Sequence, residues 1–473
     1  MRVYSLLLIT GMCWLGTLSG QEVLWMGRFD FGELEYGRGV AIDQDGNIVL
    51  SGDIAGPGRS CDILLIKCDS FGDTIWTRTY GKSSEVEQSW RITTDSRNNI
   101  YIAGNYTIGV NGIEEAGALL LKFSSDGSLL WVERYNLPNV QVVFLDVVTD
   151  NQGNIYVAGV VDSMYPFPTQ YGILCQYDTS GNLVRERIYE WTNLLLGITR
   201  GPNGNLYLTG EDESCQTLTL CLDSLGDTIW ARSFSWNEPY SYSRGNGLAL
   251  DPLGNVVVTG FIVDTMEYFD LTLIKYAPNG ETVWTRRVNF LPYDIYDWGF
   301  DVATDRSGNI YIAGDRGAIF YIGDYWTIKY SPAGETIWTA SYGRARCDDW
   351  AYSIIVDHSG NPIVIGQSEV EIGNYDVVAI KYCGATGIEQ DRFMLALGNS
   401  ALKITPNPAK EMVILQLAFE TQEVLLYDIV GKLLKVFPVN GKREVPIPLN
   451  GVPNGTYFLK AKDNIVKFVK SAY

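Results

Sequence analysis

One polar turn followed by a short apolar run is written seven times along this chain of 473 residues, and that repetition constrains the fold more than any other feature. The copies are DQDGNIVLSG at Gly46, DSRNNIYIAG at Asn98, DNQGNIYVAG at Gly153, GPNGNLYLTG at Gly204, DPLGNVVVTG at Gly254, DRSGNIYIAG at Gly308 and DHSGNPIVIG at Gly360, spaced by 52, 55, 51, 50, 54 and 52 residues. A second motif alternates with the first. It runs IKCDSFGDTIW to Trp76 and returns at Trp131, Arg185, Trp230, Trp284 and Trp338. Such a period, with four short strands per unit joined by Gly-containing turns, predicts the blades of a β-propeller. The sixth unit reads as strand A (GFDVATD), strand B (NIYIAG), strand C (YWTIKY) and strand D (ETIWTASY).

The ends of the array predict how the ring closes. The seventh copy stops after strand C, near Cys383, with no second motif behind it. The missing strand D is found at the other end, in EVLWMGRF, where Trp25 precedes Gly46 by 21 residues as Trp76 precedes Asn98 by 22. Residues 22–29 are therefore expected to complete the last blade beside Lys381, which removes a sheet edge. Residues 1–20, with Arg2 and the apolar run VYSLLLITGMCWLGTL, have the pattern of a secretory signal peptide. No later apolar run is long enough for a transmembrane helix.

These units resemble bacterial SBBP-type β-propeller repeats over about residues 22–383. After a linker at 384–402 the character changes: residues 403–473 hold ten Lys and Arg against six Asp and Glu, a balance of +4 that leaves −23 on the rest of a chain whose net charge is −19. This segment resembles the type A C-terminal sorting domain of the type IX secretion system, a small β-sandwich. The matching residues are Pro406, Asn407, Pro408 and Ala409, then Tyr427, Asp428, Gly431 and Lys432, then Gly455 and Tyr457, and finally Lys467 and Lys470. The resemblance implies the type IX machinery as a partner and delivery to the medium or the outer cell surface. The expected architecture is thus all-β: a signal peptide at 1–20, a seven-bladed β-propeller at 21–383, a linker, and a C-terminal β-sandwich at 403–473.

Little in the chain points to catalysis. The single histidine, His358, occupies a turn position filled elsewhere by Arg306 or Gln44, which removes His-dependent triads and His-rich metal sites. No phosphate-binding or dinucleotide fingerprint is present. SLGDTIW departs from the Asp-box of sialidase propellers, because Asp223 and Trp230 each stand one residue too far from Gly226. DQDGN at Asp43 resembles half a calcium loop without its distal Glu, so calcium is a secondary reading and no cofactor is otherwise expected. Strong acidity argues against nucleic acid and anionic membranes as partners.

Length variation indicates where recognition lies. Lys67 to Gly72, and each equivalent interval, is always five residues, whereas the B to C and D to A intervals vary. In a four-stranded meander both variable loops fall on one face, and variable loops on a constant scaffold are where binding usually resides. The D to A loops carry Tyr36, Trp90, Trp298 and Trp350 beside Glu87, Asp297, Asp348 and Asp349, a set that suits a glycan or protein ligand. The expected activity is a secreted binding module; the alternatives are a polysaccharide-degrading enzyme using two carboxylates and a structural surface component. Seven cysteines follow residue 20, and ring closure predicts a disulfide between Cys61 and Cys347. Finally, Asp43, Asp95, Asp251, Asp305 and Asp357 are expected to form buried ion pairs with Lys67, Lys122, Lys275, Lys329 and Lys381.

Overall fold

The structure, a computed structural model, describes residues 21–384 except 57–58, 111–112, 164–168, 237–241, 264–268, 289–295, 319–321, 344–346 and 372, and residues 402–470 except 406–409, 418–420, 422, 429–432, 440–441, 454 and 462–463. Residues 1–20, expected to be a signal peptide, and most of the expected linker at 384–402 lie outside these residues. The chain divides into two compact units, Met1–Ala385 and Thr386–Tyr473.

The first unit is a seven-bladed β-propeller. Blade one is A Leu34–Ile42, B Ile48–Gly56, C Arg59–Cys68 and D Thr74–Tyr80; blades two to six occupy 85–135, 141–189, 192–234, 242–288 and 296–342. Blade seven takes strands A to C from Asp349–Val356, Pro362–Glu371 and Asn374–Tyr382, and its fourth strand is Val23–Phe29. That N-terminal strand runs antiparallel to strand C with Trp25 opposite Lys381, and the seam is extended by a bond from Cys383 N to Glu22 O at 2.8 Å.

The repeated turn has a simple chemistry. Asp43 Oδ1 accepts the amides of Asp45 (3.0 Å) and Asn47 (2.8 Å), while Oδ2 accepts Asn47 Nδ2 at 2.9 Å. Asp and Asn four apart therefore lock the A to B hairpin in six of the seven blades, Gly201 standing in the Asp column of blade four, and the residue between them at Gly46 sits at φ 82°, the left-handed region. Blade two places Asn98 there at φ 62°, a substitution that short polar side chains tolerate. In the turn at Asp43, weighed as half a calcium loop, both carboxylate oxygens are spent on protein donors.

Strands B and C are near-continuous apolar runs because both faces are covered by neighbouring blades, whereas strand D is the exposed outer edge: Ile48–Ile54 are all buried, but Thr74–Tyr80 are mostly exposed. The apolar core consequently lies between blades. The described residues form seven apolar clusters in the propeller, one per junction; that between blades seven and one joins Val40, Leu50 and Ile66 to Ile363, Ile365 and Val377.

A polar staple links four of these junctions. The strand C lysine and the strand D tryptophan of one blade donate to one carbonyl of the next blade's C to D turn. Lys67 Nζ and Trp76 Nε1 reach Ser125 O (3.1 and 3.3 Å), and Lys275 and Trp284 reach Pro332 O (3.1 and 3.2 Å). At the seam the two donors come from opposite ends of the propeller, Lys381 and Trp25, both 3.2 Å from Ser70 O. Blade three has Gln176 and Arg185 at these positions and a shallow cleft lined by both opens there, blade four has Cys221 in place of the lysine, and in blade six Lys329 donates to Gly384 O instead.

The ion pairs expected between strands A and C form in four of five blades. The distances are 2.7 Å for Asp43–Lys67, 2.9 Å for Asp251–Lys275, 2.8 Å for Asp357–Lys381 and 4.0 Å for Asp305–Lys329. Asp95 and Lys122 do not close a pair. The residue of strand B opposite the lysine decides the outcome. It is Val49, Val257 or Ile363 beside the short pairs, but Tyr101 and Tyr311 donate their hydroxyls to Asp95 (2.9 Å) and Asp305 (3.0 Å) and hold the ammonium away.

The second unit is a β-sandwich. A three-stranded sheet (Leu402–Thr405, Met412–Leu417, Glu444–Pro448) and a four-stranded sheet (Leu433–Pro438, Glu423–Asp428, Gly455–Ala461, Asn464–Lys470) enclose Val413, Leu415, Leu426, Ile447 and Leu459.

Candidate functional site

Strand A is the innermost strand of every blade, and in each it carries a bulge at the same place. The bulged residues are Arg38, Trp90, Leu145, Leu196, Asn246, Phe300 and Tyr352. Along the strand, half-buried residues that face the central channel alternate with fully buried ones that face the neighbouring blades. Tyr36, Trp298 and Trp350 belong to the channel-facing set two positions before the bulge, and Trp90 is itself a bulge residue.

These aromatics form a continuous wall over blades five, six, seven, one and two. Phe261 stacks on Trp298 at 5.2 Å, Trp298 meets Phe300 at 5.5 Å, Phe300 stacks on Trp350 at 6.3 Å and meets Tyr352 at 5.3 Å. Arg38 continues it, its guanidinium lying 5.1 Å from Tyr352, 5.4 Å from Trp90 and 5.8 Å from Tyr36. A 3.0 Å bond to Asp53, which in turn accepts the Ser89 amide at 2.8 Å, fixes Arg38. Blades three and four offer Val143, Leu145, Leu194 and Leu196 at the same levels, so one wall is aromatic and cationic and the facing one aliphatic.

The carboxylates expected beside these aromatics point elsewhere. Asp297 and Asp349 are 1 % and 0 % exposed and belong to the set that faces between blades, as does Glu87. Burial, followed by the neighbouring Glu85, raises Glu87 to about 7. Asp348 accepts Trp350 Nε1 at 2.6 Å and the Gly323 amide at 3.2 Å, so it braces the aromatic wall.

Below the wall, three charged residues that sequence reasoning missed close the channel. Arg91 of blade two donates to Arg38 O at 3.3 Å and, across the ring, to Phe300 O at 3.4 Å, with Asp301 Oδ2 at 3.9 Å. Asp146 accepts the amides of Val147 and Ile198 at 2.8 Å, and burial lifts its carboxyl to about 7, the nearby Arg91 opposing and Asp301 adding to the rise. The signal was present in the repeat: this column is Gly39, Gly197, Gly247 or Ser353 in the other blades.

The Cys61–Cys347 bridge is not formed; Cys61 is a thiol, pushed up to about 12 mainly by burial. Cys61 pairs with Val86 of blade two, at the junction between blades one and two, whereas Cys347 enters strand A of blade seven from the blade-six side. Strand C faces the following blade and the D to A loop the preceding one, so the two sulfurs are separated by the seam rather than joined across it.

In the sandwich, Asp428 pairs with Tyr457 in the sheet, and the Tyr457 hydroxyl donates to Pro453 O at 2.8 Å. Gly455 lies opposite Lys470, whose ammonium donates to Leu449 O at 2.9 Å. Pro406, Asn407, Pro408, Gly431 and Lys432 lie outside the described residues.

Residues 403–472 match the family of secretion system C-terminal sorting domains, and residues 283–315 match the β-propeller repeat family. The type IX sorting tail implies secretion. A curated relative, an uncharacterized WD repeat-containing protein of Acanthamoeba polyphaga mimivirus, is 25% identical over 287 residues; the match covers 47% of this chain and 19% of that protein, so the chain spans about a fifth of the relative's length. Among solved structures, a Dyadobacter fermentans protein of unknown function is similar with a TM-score of 0.47 (10% identity, 78% of this chain and 99% of that one). The WD40 domain of Toxoplasma gondii coronin gives 0.45 (9%, covering 80% and 89%), and a Hadza microbial sialidase 0.42 (14%, covering 60% and 64%). None of these likenesses speaks to activity.

Proposed function

We propose that the propeller is a binding module, exported with the help of a signal peptide at residues 1–20 and delivered to the medium or outer surface by its sorting tail, that takes a glycan or protein segment at the channel mouth. The supporting observation is the unbroken wall Trp298–Phe300–Trp350–Tyr352–Arg38–Trp90, which offers ring faces and one fixed cation above a closed floor. Flat apolar rings with an oriented polar group suit sugar faces and aromatic or proline-rich peptide segments. A glycan and peptide array probed with the purified protein tests this, with Trp350→Ala as the paired variant. Specific binding that the variant loses supports the reading; arrays with no reproducible binder sink it.

One observation favours a second reading. Asp146 and Asp301 are two carboxylates flanking Arg91 in the channel, and one of them titrates near 7, the profile of a general acid. Release of reducing ends from polysaccharides, abolished in Asp146→Asn, would replace the binding reading with an enzymatic one.

A further inference from the structure

A separate cluster of carboxylates lies at the seam, away from the channel wall. The loop after the N-terminal strand, DFGELE at residues 30–35, brings Asp30 and Glu35 to Asp376 of strand C in blade seven, and carboxylate oxygens of all three lie within 4.8 Å of one another. Glu35 and Asp376 are buried, at 0 % and 1 % exposed.

The loop holds these groups with one oxygen each. Glu35 Oε1 accepts the amides of Phe31 (3.2 Å) and Glu33 (3.0 Å), and Asp30 Oδ1 accepts that of Gly32 (2.8 Å). Gly32 sits at φ 79°, and this left-handed turn lets successive amides converge on the two acids. Asp376 Oδ2 is held by Arg28 of the N-terminal strand. What remains is Glu35 Oε2, fully buried and without a hydrogen-bond partner. A buried carboxylate oxygen so placed is a costly arrangement unless a proton or a cation joins it, and a single guanidinium does not balance three acids.

We propose that Asp30, Glu35 and Asp376 hold a divalent cation, calcium by its ligand chemistry, which clasps the N-terminal strand to blades seven and one. All-oxygen ligation excludes the softer metals that prefer His and Cys. Two oxygens on one ion are at most twice the metal–oxygen distance apart, about 4.6–5.2 Å for calcium and about 4.2 Å for magnesium, so calcium accommodates the full spread of this cluster. Backbone carbonyls and water would complete its shell. Two of the three positions repeat elsewhere, as Asp62 with Glu87, Asp270 with Asp297 and Asp324 with Asp349, but at the seam the loop adds Asp30 as a third.

The test is calcium titration of the metal-stripped full chain by calorimetry, with thermal unfolding and tryptic cleavage at Arg28 read in parallel. Expected are one site with a Kd of roughly 10⁻⁴–10⁻³ M, the range of extracellular calcium modules, a Tm that rises with calcium concentration, and slower cleavage at Arg28. Magnesium at equal concentration gives a smaller rise. Glu35→Gln and the surface change Asp30→Asn each remove the calcium response; because Asp30 is exposed, its variant folds as wild type and separates lost binding from lost structure. No heat and no Tm shift in folded wild type overturns the proposal, and so does a calcium response that survives in Asp30→Asn.

Discussion

Replacing Lys275 by Met should cost about three times what the same change costs at Lys122. Lys275 Nζ lies 2.9 Å from Asp251 Oδ2, with the two side chains 5% and 2% exposed. At an effective dielectric near 20 the attraction at that distance is about 6 kcal/mol, most of it offset by desolvation of the two ions. Removing the lysine leaves buried Asp251 with its turn donors Leu253 N, Asn255 N and Asn255 Nδ2 but without its charge partner, and costs about 3 kcal/mol. At Lys122 no ion pair is lost, since Asp95 has, besides the same turn donors, the Tyr101 hydroxyl where Asp251 has the ammonium. The loss there is the bond to Thr179 O, about 1 kcal/mol. With an unfolding entropy of roughly 2.1 cal/mol/K per residue, a propeller of this length should lose about 4 °C of Tm in K275M and about 1 °C in K122M. Calorimetric melting of both variants checks the ratio, and equal losses refute the role given to Tyr101. The pH dependence adds a second check. Burial works against ionised Asp251, but bonds from Asn255 and Lys275 outweigh it and hold its pKa below the ordinary value. A depressed acid stabilises above its unfolded pKa and loses that contribution as pH falls through the folded one, so the gap between wild type and K275M should close below about pH 4.

Deleting residues 21–30 should expose strand C of blade seven and lower propeller stability by several kcal/mol, read as a Tm drop; a deletion that melts like wild type refutes the seam. Asp146, raised to about 7, makes stability fall as pH rises through that value, and Arg91→Met should steepen the fall by removing the cation that favours ionisation. Denaturant unfolding at pH 6 and pH 8 in both proteins measures this, and identical slopes would discard the channel-floor electrostatics. Trp284→Ala should cost about 2–3 kcal/mol through lost packing and the bond to Pro332 O, while Arg185→Ala in blade three, which has no staple, should cost less than about 1 kcal/mol; comparable Tm losses would contradict the staple.

The repeat made the blades and the closing strand legible because each column has one physical job: Asp and Asn lock a turn, Lys and Trp share a carbonyl. Two things resisted that reading. A column of Asp and Lys reports that both groups are present, but whether they touch depends on a third column, Val49 against Tyr101, whose members look equivalent as apolar strand residues. The channel resisted for a different reason. Simple alternation along strand A assigns Trp90 and Arg91 to opposite faces, but the bulge between Ser89 and Arg91 turns both inward. Alternation does hold before the bulge, which is why Trp298 and Trp350 face the channel while their neighbours Asp297 and Asp349 face the adjoining blades.

The carbonyl of Ser70 receives one donor from each end of the propeller's chain, Lys381 and Trp25. Nothing shorter than the whole array satisfies it. A truncated propeller, or one emerging with its N-terminus first, is an open arc with an unpaired strand at either end until Asn374–Tyr382 arrives. Ring closure is thus a count of repeats carried out by the molecule itself: six blades and a remainder stay adhesive at their two open ends, and the seventh joins those ends, leaving only the outer strand D edges.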